Sequence, residues 1–80
     1  MKNEALKNTI GNNIMISRKK LGISQQKFAL MLGMSRYRLR MLENGKANPT
    51  IDTLARVAEA LELNVIDLLT NEFASTHPRL

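Results

Sequence analysis

The chain has no cysteine and no tryptophan, and only two prolines, four glycines and one histidine among its 80 residues. Without cysteine there is no disulfide to staple the fold and no thiolate to hold a metal. The single histidine, His77, has no second imidazole or thiol to share a metal with, so neither a metal nor another cofactor is expected. Aromatic residues make up only 4% of the chain, so any core must be aliphatic. Long apolar runs are missing as well. The opening MKNEALKNTIGNN does not read as a secretory signal, and no stretch approaches the roughly 20 apolar residues that span a bilayer. A cytoplasmic location without a membrane partner is the expectation, and absent cysteine agrees with a reducing compartment. There is no glycine-rich phosphate loop, and Ser35 has no neighbouring base to make it a nucleophile, so an enzyme is not expected.

What is present is an uneven charge. Residues 1–40 hold nine Lys/Arg against one Glu, or +8, and residues 41–80 hold three against six, or −3. A basic half of this kind matches a polyanionic partner, or else forms a solvated face. Asp52, Glu59, Glu62, Asp67 and Glu72 read as solvated charge that disfavours DNA near the C-terminal part. Lys19, Lys20 and Lys27 serve equally well as backbone contacts or as solubilising charge.

The apolar residues are spaced for helices. Leu6, Ile10, Ile14 and Leu21 predict a first helix over about residues 4–21, with Gly22 as its stop and a basic last turn suited to the helix dipole. Ser24 caps a second helix bearing Phe28, Ala29 and Leu32, which Gly33 ends. Ser35 caps a third, over about 36–44, which stops at Gly45. Asn48 is held extended by Pro49, and Thr50 caps a fourth helix whose stripe is Ile51, Leu54, Ala58 and Leu61. Asn64 caps a short fifth helix, VIDLL. The expectation is an all-α, compact five-helix bundle over residues 1–70, with a frayed tail over 71–80.

Residues 35–42, SRYRLRML, alternate as a strand does, yet no other segment alternates to pair with them. On a helix at about 100° per residue, Leu39 and Leu42 share the inner side. Arg36, Tyr37, Arg40 and Met41 then form the outer surface, with Arg38 on its flank. Arginine can fork to guanine O6 and N7 or grip a phosphate. For an arbitrary helix, a solvated amphipathic surface would be the simpler reading.

The segment QQKFALMLGMSRYRLRML resembles the helix-turn-helix of the Cro/phage-repressor (Xre) family. The matching residues are Gln25 opening the first helix, Ala29 within it, Gly33 in the turn, and Leu39 and Leu42 in the second helix. The likeness extends from IGNNIMISRKKLGIS to LENGKANPTIDTLARVAEALELNVIDLL, about residues 6–69. The chain departs from the family at Leu30, Met31 and Ile66, where polar residues are common, and at Met41, where a polar or basic base reader is common.

The resemblance implies a lambda-repressor-like DNA-binding domain that acts as a transcriptional regulator, as a repressor in the expected form. It binds double-stranded DNA as a homodimer on a two-fold operator. Ser35, Arg36, Tyr37, Arg40 and Met41 are then the expected base readers, and Gln25, Gln26, Arg38, Asn44, Lys46 and Asn48 the backbone contacts. Arg18 and Glu43 match positions that form a partly buried ion pair in the family. Val65, Ile66, Leu69 and Phe73 are the expected dimer contacts. Two rival readings stand beside this one: an antitoxin whose main partner is a toxin protein, supported by apolar Leu30, Met31 and Ile66, and a controller protein of a restriction-modification system.

Overall fold

The first helix, α1, runs Asn3–Lys20 and ends in three basic residues, Arg18, Lys19 and Lys20, where the exposed carbonyls of a helix C-terminus favour cations. The computed structural model describes residues 3–70 and adds four shorter helices: α2 (Gln25–Leu32), α3 (Arg36–Glu43), α4 (Ile51–Ala60) and α5 (Val65–Leu69). The assignments beyond Thr70, namely the tail and the residues Glu72, Phe73 and His77, lie outside the described residues.

The helix starts are set by side chains that accept otherwise unpaired N–H groups. Ser24, Ser35 and Thr50 accept from the backbone N–H of Lys27, Arg38 and Thr53, each three residues on. At α5, Asn64 and Asp67 form a reciprocal capping box. The turn between α2 and α3 depends on Gly33. Its φ of +71° lies in the left-handed region, and its N–H and that of Met34 close the end of α2 on Leu30 O and Ala29 O. Residues 35–42 are thus helical, and their alternating pattern does not correspond to a strand.

In the packing, α1 lies against α3 and α5, α2 against α3 and α4, and α4 against α5. The core is aliphatic around one phenylalanine: Ile10, Ile14, Phe28, Leu32, Leu39, Leu54, Val57, Leu61 and Leu68 are all buried. Burying one such side chain contributes roughly 1.5–3 kcal/mol. Three expected stripe residues are not part of it. Leu21 is exposed because α1 ends at Lys20, which places Leu21 in the turn, outside the helical period. Leu6 and Ile51, the latter 73% exposed, sit on the rim of a shallow apolar groove of about 280 Å³ shared with Pro49 and Leu69. Both are at helix starts, one turn ahead of the residues that reach the core. Val57 takes the central place on α4 instead, fully buried.

Two close contacts hold α1 to its neighbours. A Cβ on Gly11 would stand 2.5 Å from the carbonyl oxygens of both Leu42 and Glu43, so only glycine lets α1 cross the end of α3 at this separation. Asn13 is buried and donates its amide to Leu68 O at 3.0 Å and Thr70 O at 2.9 Å. It thereby satisfies carbonyls that the five-residue α5 leaves without intrahelical partners.

Candidate functional site

The two sides of α3 differ in every respect. Leu39 and Leu42 anchor its inner side in the core. Its outer side presents Arg36, Tyr37 and Arg40 to solvent, with Arg38 also exposed and Ser35 at the tip. Arg40 and Tyr37 are one turn apart, and the guanidinium carbon lies 5.6 Å from the ring centroid, within range of a cation–π contact. Met41, expected on the open face, is half-buried. The chain doubles back there, with Lys46 N–H donating to Met41 O at 2.9 Å, which brings the exit loop alongside this residue.

The inner edge carries a fixed polar network. Arg18 Nε donates to Glu43 Oε2 at 2.6 Å and its NH2 to Glu43 Oε1 at 3.0 Å, a two-pronged pair whose side chains are 7% and 1% exposed. The remaining guanidinium nitrogen donates to Ile23 O at 2.7 Å, in the α1–α2 turn. Gln25 Nε2 donates to Glu43 Oε1 at 2.9 Å. One carboxylate therefore ties α1, the α1–α2 turn, the first residue of α2 and the last residue of α3 together. The pair needs that many donors, because a buried carboxylate without them is costly. For Gln25 the network adds a role that sequence patterning does not show. One N–H of its amide is taken by Glu43, and the amide carries a second donor.

The remaining expected DNA contacts border α3. Gln26 is exposed on the first turn of α2, and Asn44, Lys46 and Asn48 are exposed along the exit loop. All of these lie on elements contiguous with the outer side of α3 in sequence, either directly before or directly after it. The expected dimer contacts are at the far end of the chain. Val65 is half-buried against the core, Ile66 is 66% exposed, and Leu69 is at the exposed margin. Gly11 and Asn13 were not predictable from spacing, since their importance arises only where α1 meets α3 and α5.

Among the described residues, no cluster of three or more His, Asp or Glu side chains is placed to hold a metal. None of the described helices is long and apolar enough to cross a membrane. What the outer side of α3 can do chemically is donate. Three guanidiniums and a phenol project from one eight-residue helix, without a carboxylate among them.

Comparison with known proteins places this geometry. Residues 14–68 match the Helix-turn-helix family HTH_3. The chain is 32% identical over 65 residues to y4dJ of Sinorhizobium fredii, described as an uncharacterized HTH-type transcriptional regulator, a match covering 81% of this chain and 84% of that one. Among solved structures it is similar to the clp gene regulator ClgR of Corynebacterium glutamicum, with 28% identity and a TM-score of 0.77 over 80% of this chain and 82% of the other. It is similar also to the restriction-modification controller protein C.AhdI of Aeromonas hydrophila, with 25% identity and a TM-score of 0.75 over 80% of this chain and 97% of the other.

Proposed function

The chain belongs to the Helix-turn-helix family of DNA-binding transcriptional regulators, and on that footing we propose that it reads a specific duplex by inserting α3 into the major groove. The observation that carries this reading is the outer side of α3, where Arg36, Tyr37 and Arg40 are exposed while Leu39, Leu42 and Glu43 fix the helix from behind. Arginine at such a position reads guanine by a forked pair of hydrogen bonds. Gln25, Gln26, Arg38, Asn44, Lys46 and Asn48 flank the groove and hold phosphates, which sets register without reading sequence. Such a protein acts in the cytoplasm as a regulator with no catalytic step.

A single module of this size covers one half-site, so the proposal includes a homodimer on a two-fold operator, acting as a repressor. Ile66 and Leu69, apolar and exposed on α5, supply a contact away from α3. The test is selection of bound sites from a random duplex library. It is expected to return a two-fold symmetric sequence with guanines in each half. Ile66→Glu is then expected to leave unfolding unchanged within about 0.5 kcal/mol, and to weaken binding to the full site far more than to a half-site. Selection that returns no preferred sequence would overturn the base-reading proposal. A parent protein that sediments as a monomer on the full site would overturn the dimer.

The likeness to the controller protein from Aeromonas hydrophila favours one variant of this reading, regulation of a restriction-modification system. The antitoxin alternative draws on Leu30 and Met31, 74% and 49% exposed on α2. It predicts a protein whose random-duplex affinity is weak and insensitive to salt.

A further inference from the structure

Arg56 stands in the acidic part of the chain, with Asp52 four residues before it and Glu59 three after it on α4. Both spacings place a carboxylate within reach on a helix surface. Even so, among the described residues Arg56 forms no ion pair with either. Its side chain instead turns across to α2, where NH1 donates to Leu32 O at 3.3 Å. That bond holds the guanidinium beside the turn of the helix-turn-helix. There it lines a recess of about 290 Å³ together with Gly33, Met34, Ser35, Arg38 and Thr53. Two arginines, Arg38 from α3 and Arg56 from α4, thus line one open recess, and none of its lining residues carries a carboxylate. The first backbone N–H groups of α3 are beside it. Ser35 Oγ takes only that of Arg38, and the earlier ones have no intrahelical acceptor.

We propose that Arg38 and Arg56 form a two-guanidinium cradle for a phosphate of the DNA backbone, so that the footprint extends beyond the helix-turn-helix onto α4. This rests on the reading that α3 enters the major groove. Guanidinium suits the task because its planar fork matches two phosphate oxygens. The recess joins the α2–α3 turn and the start of α3 to α4, whereas the Gln25–Glu43 contact joins the start of α2 to the end of α3. A phosphate held here would be a second anchor beside the one proposed at Gln25. Arg56 is a positioning contact in this scheme and reads no base.

A purely structural role is the rival explanation, since a cation on Leu32 O also caps the end of α2. The salt dependence of binding separates the two. Affinity for a random-sequence duplex is measured across a range of salt concentrations for the parent, Arg56→Ala, Arg56→Lys and Arg38→Ala, each checked by thermal unfolding. The cradle predicts weaker binding to random and selected duplexes alike for Arg56→Ala. The slope of log affinity against log salt should become shallower by roughly one, and Arg56→Lys should restore most of it. A structural cap predicts a lower melting temperature with the parent's slope, and that result overturns the proposal. Inorganic phosphate is tested alongside. Thermal stabilisation by phosphate that is lost in Arg56→Ala, with no change in the DNA slope, would make the recess a free-anion site and likewise overturn the DNA assignment. A parent protein that binds no duplex would refute the α3 reading itself. A parent that binds, with Arg56→Ala unchanged in slope, refutes the cradle alone.

Discussion

The inner edge and the outer face of α3 carry charge in opposite ways. At the inner edge, Glu43 is met by two nitrogens of Arg18 and by Gln25, all within 3.0 Å, and Arg18 is further held by Ile23 O. On the outer face, Arg40, less than one helical turn away, and Arg36, about two turns away, are exposed, and Arg40 lies over the Tyr37 ring. The difference follows from solvent. A buried charge must have its full complement of partners, whereas an exposed one is satisfied by water and stays available to a ligand. Within one eight-residue helix, a carboxylate is held by fixed partners at one edge while arginines stay exposed to solvent on the other side.

The largest break in this contrast should come from Glu43→Gln. It leaves Arg18 buried and uncompensated, at a cost of about 3–5 kcal/mol, read by urea unfolding. The double change Arg18→Met, Glu43→Leu should recover much of that stability, because apolar residues often replace a buried pair without loss. Coupling in the double-mutant cycle below about 0.5 kcal/mol would mean the two charges act independently.

Gly11→Ala tests the same inner edge through the backbone. The added methyl meets two carbonyl oxygens at 2.5 Å, so α1 and α3 must separate. Overpacking of this kind costs about 1–3 kcal/mol, and it should lower DNA affinity beyond the loss of folded protein. Wild-type stability in this variant would show that the two helices can slide at little cost.

The outer face should respond the other way round. Arg36→Ala or Arg40→Ala is expected to leave unfolding unchanged while weakening the preferred site by about 1–3 kcal/mol and relaxing selectivity at one base position. An equal loss on every sequence would reassign that arginine to a phosphate. The smallest effect is expected from Tyr37→Leu. It removes a cation–π contact worth about 0.5–1 kcal/mol at an exposed site, and, under the proposed reading, it should broaden the preference at the base assigned to Arg40. A double-mutant cycle on binding that shows Tyr37 and Arg40 to be additive would sever the two.

The helices and their boundaries were legible in the chain because their causes are local. Ser24, Ser35 and Thr50 each cap the helix that follows, within three residues. Gly33 supplies the one backbone conformation that the α2–α3 turn requires. The same local rules overreached at the helix starts, where Leu6 and Ile51 fit the period but fall beyond the packed part of their helices. Within α3, period alone separated Leu39 and Leu42 from the arginines, though it placed Met41 outside when the folded chain half-buries it.

What the sequence by itself determined is therefore the set of helices, their caps and stops, and which side of α3 faces away from the core. These depend on residues at most four positions apart. What only the tertiary structure decided depends on residues brought together across the chain. Gly11 matters because the carbonyls of Leu42 and Glu43 arrive beside it. Asn13 matters because α5 ends against α1, 55 residues along the chain at Leu68. Gln25 acquires a partner in Glu43, and Arg56 turns from the carboxylates on its own helix to the end of another. Periodicity carries no record of such meetings, since the packing of helices on one another sets the distance between residues far apart in sequence.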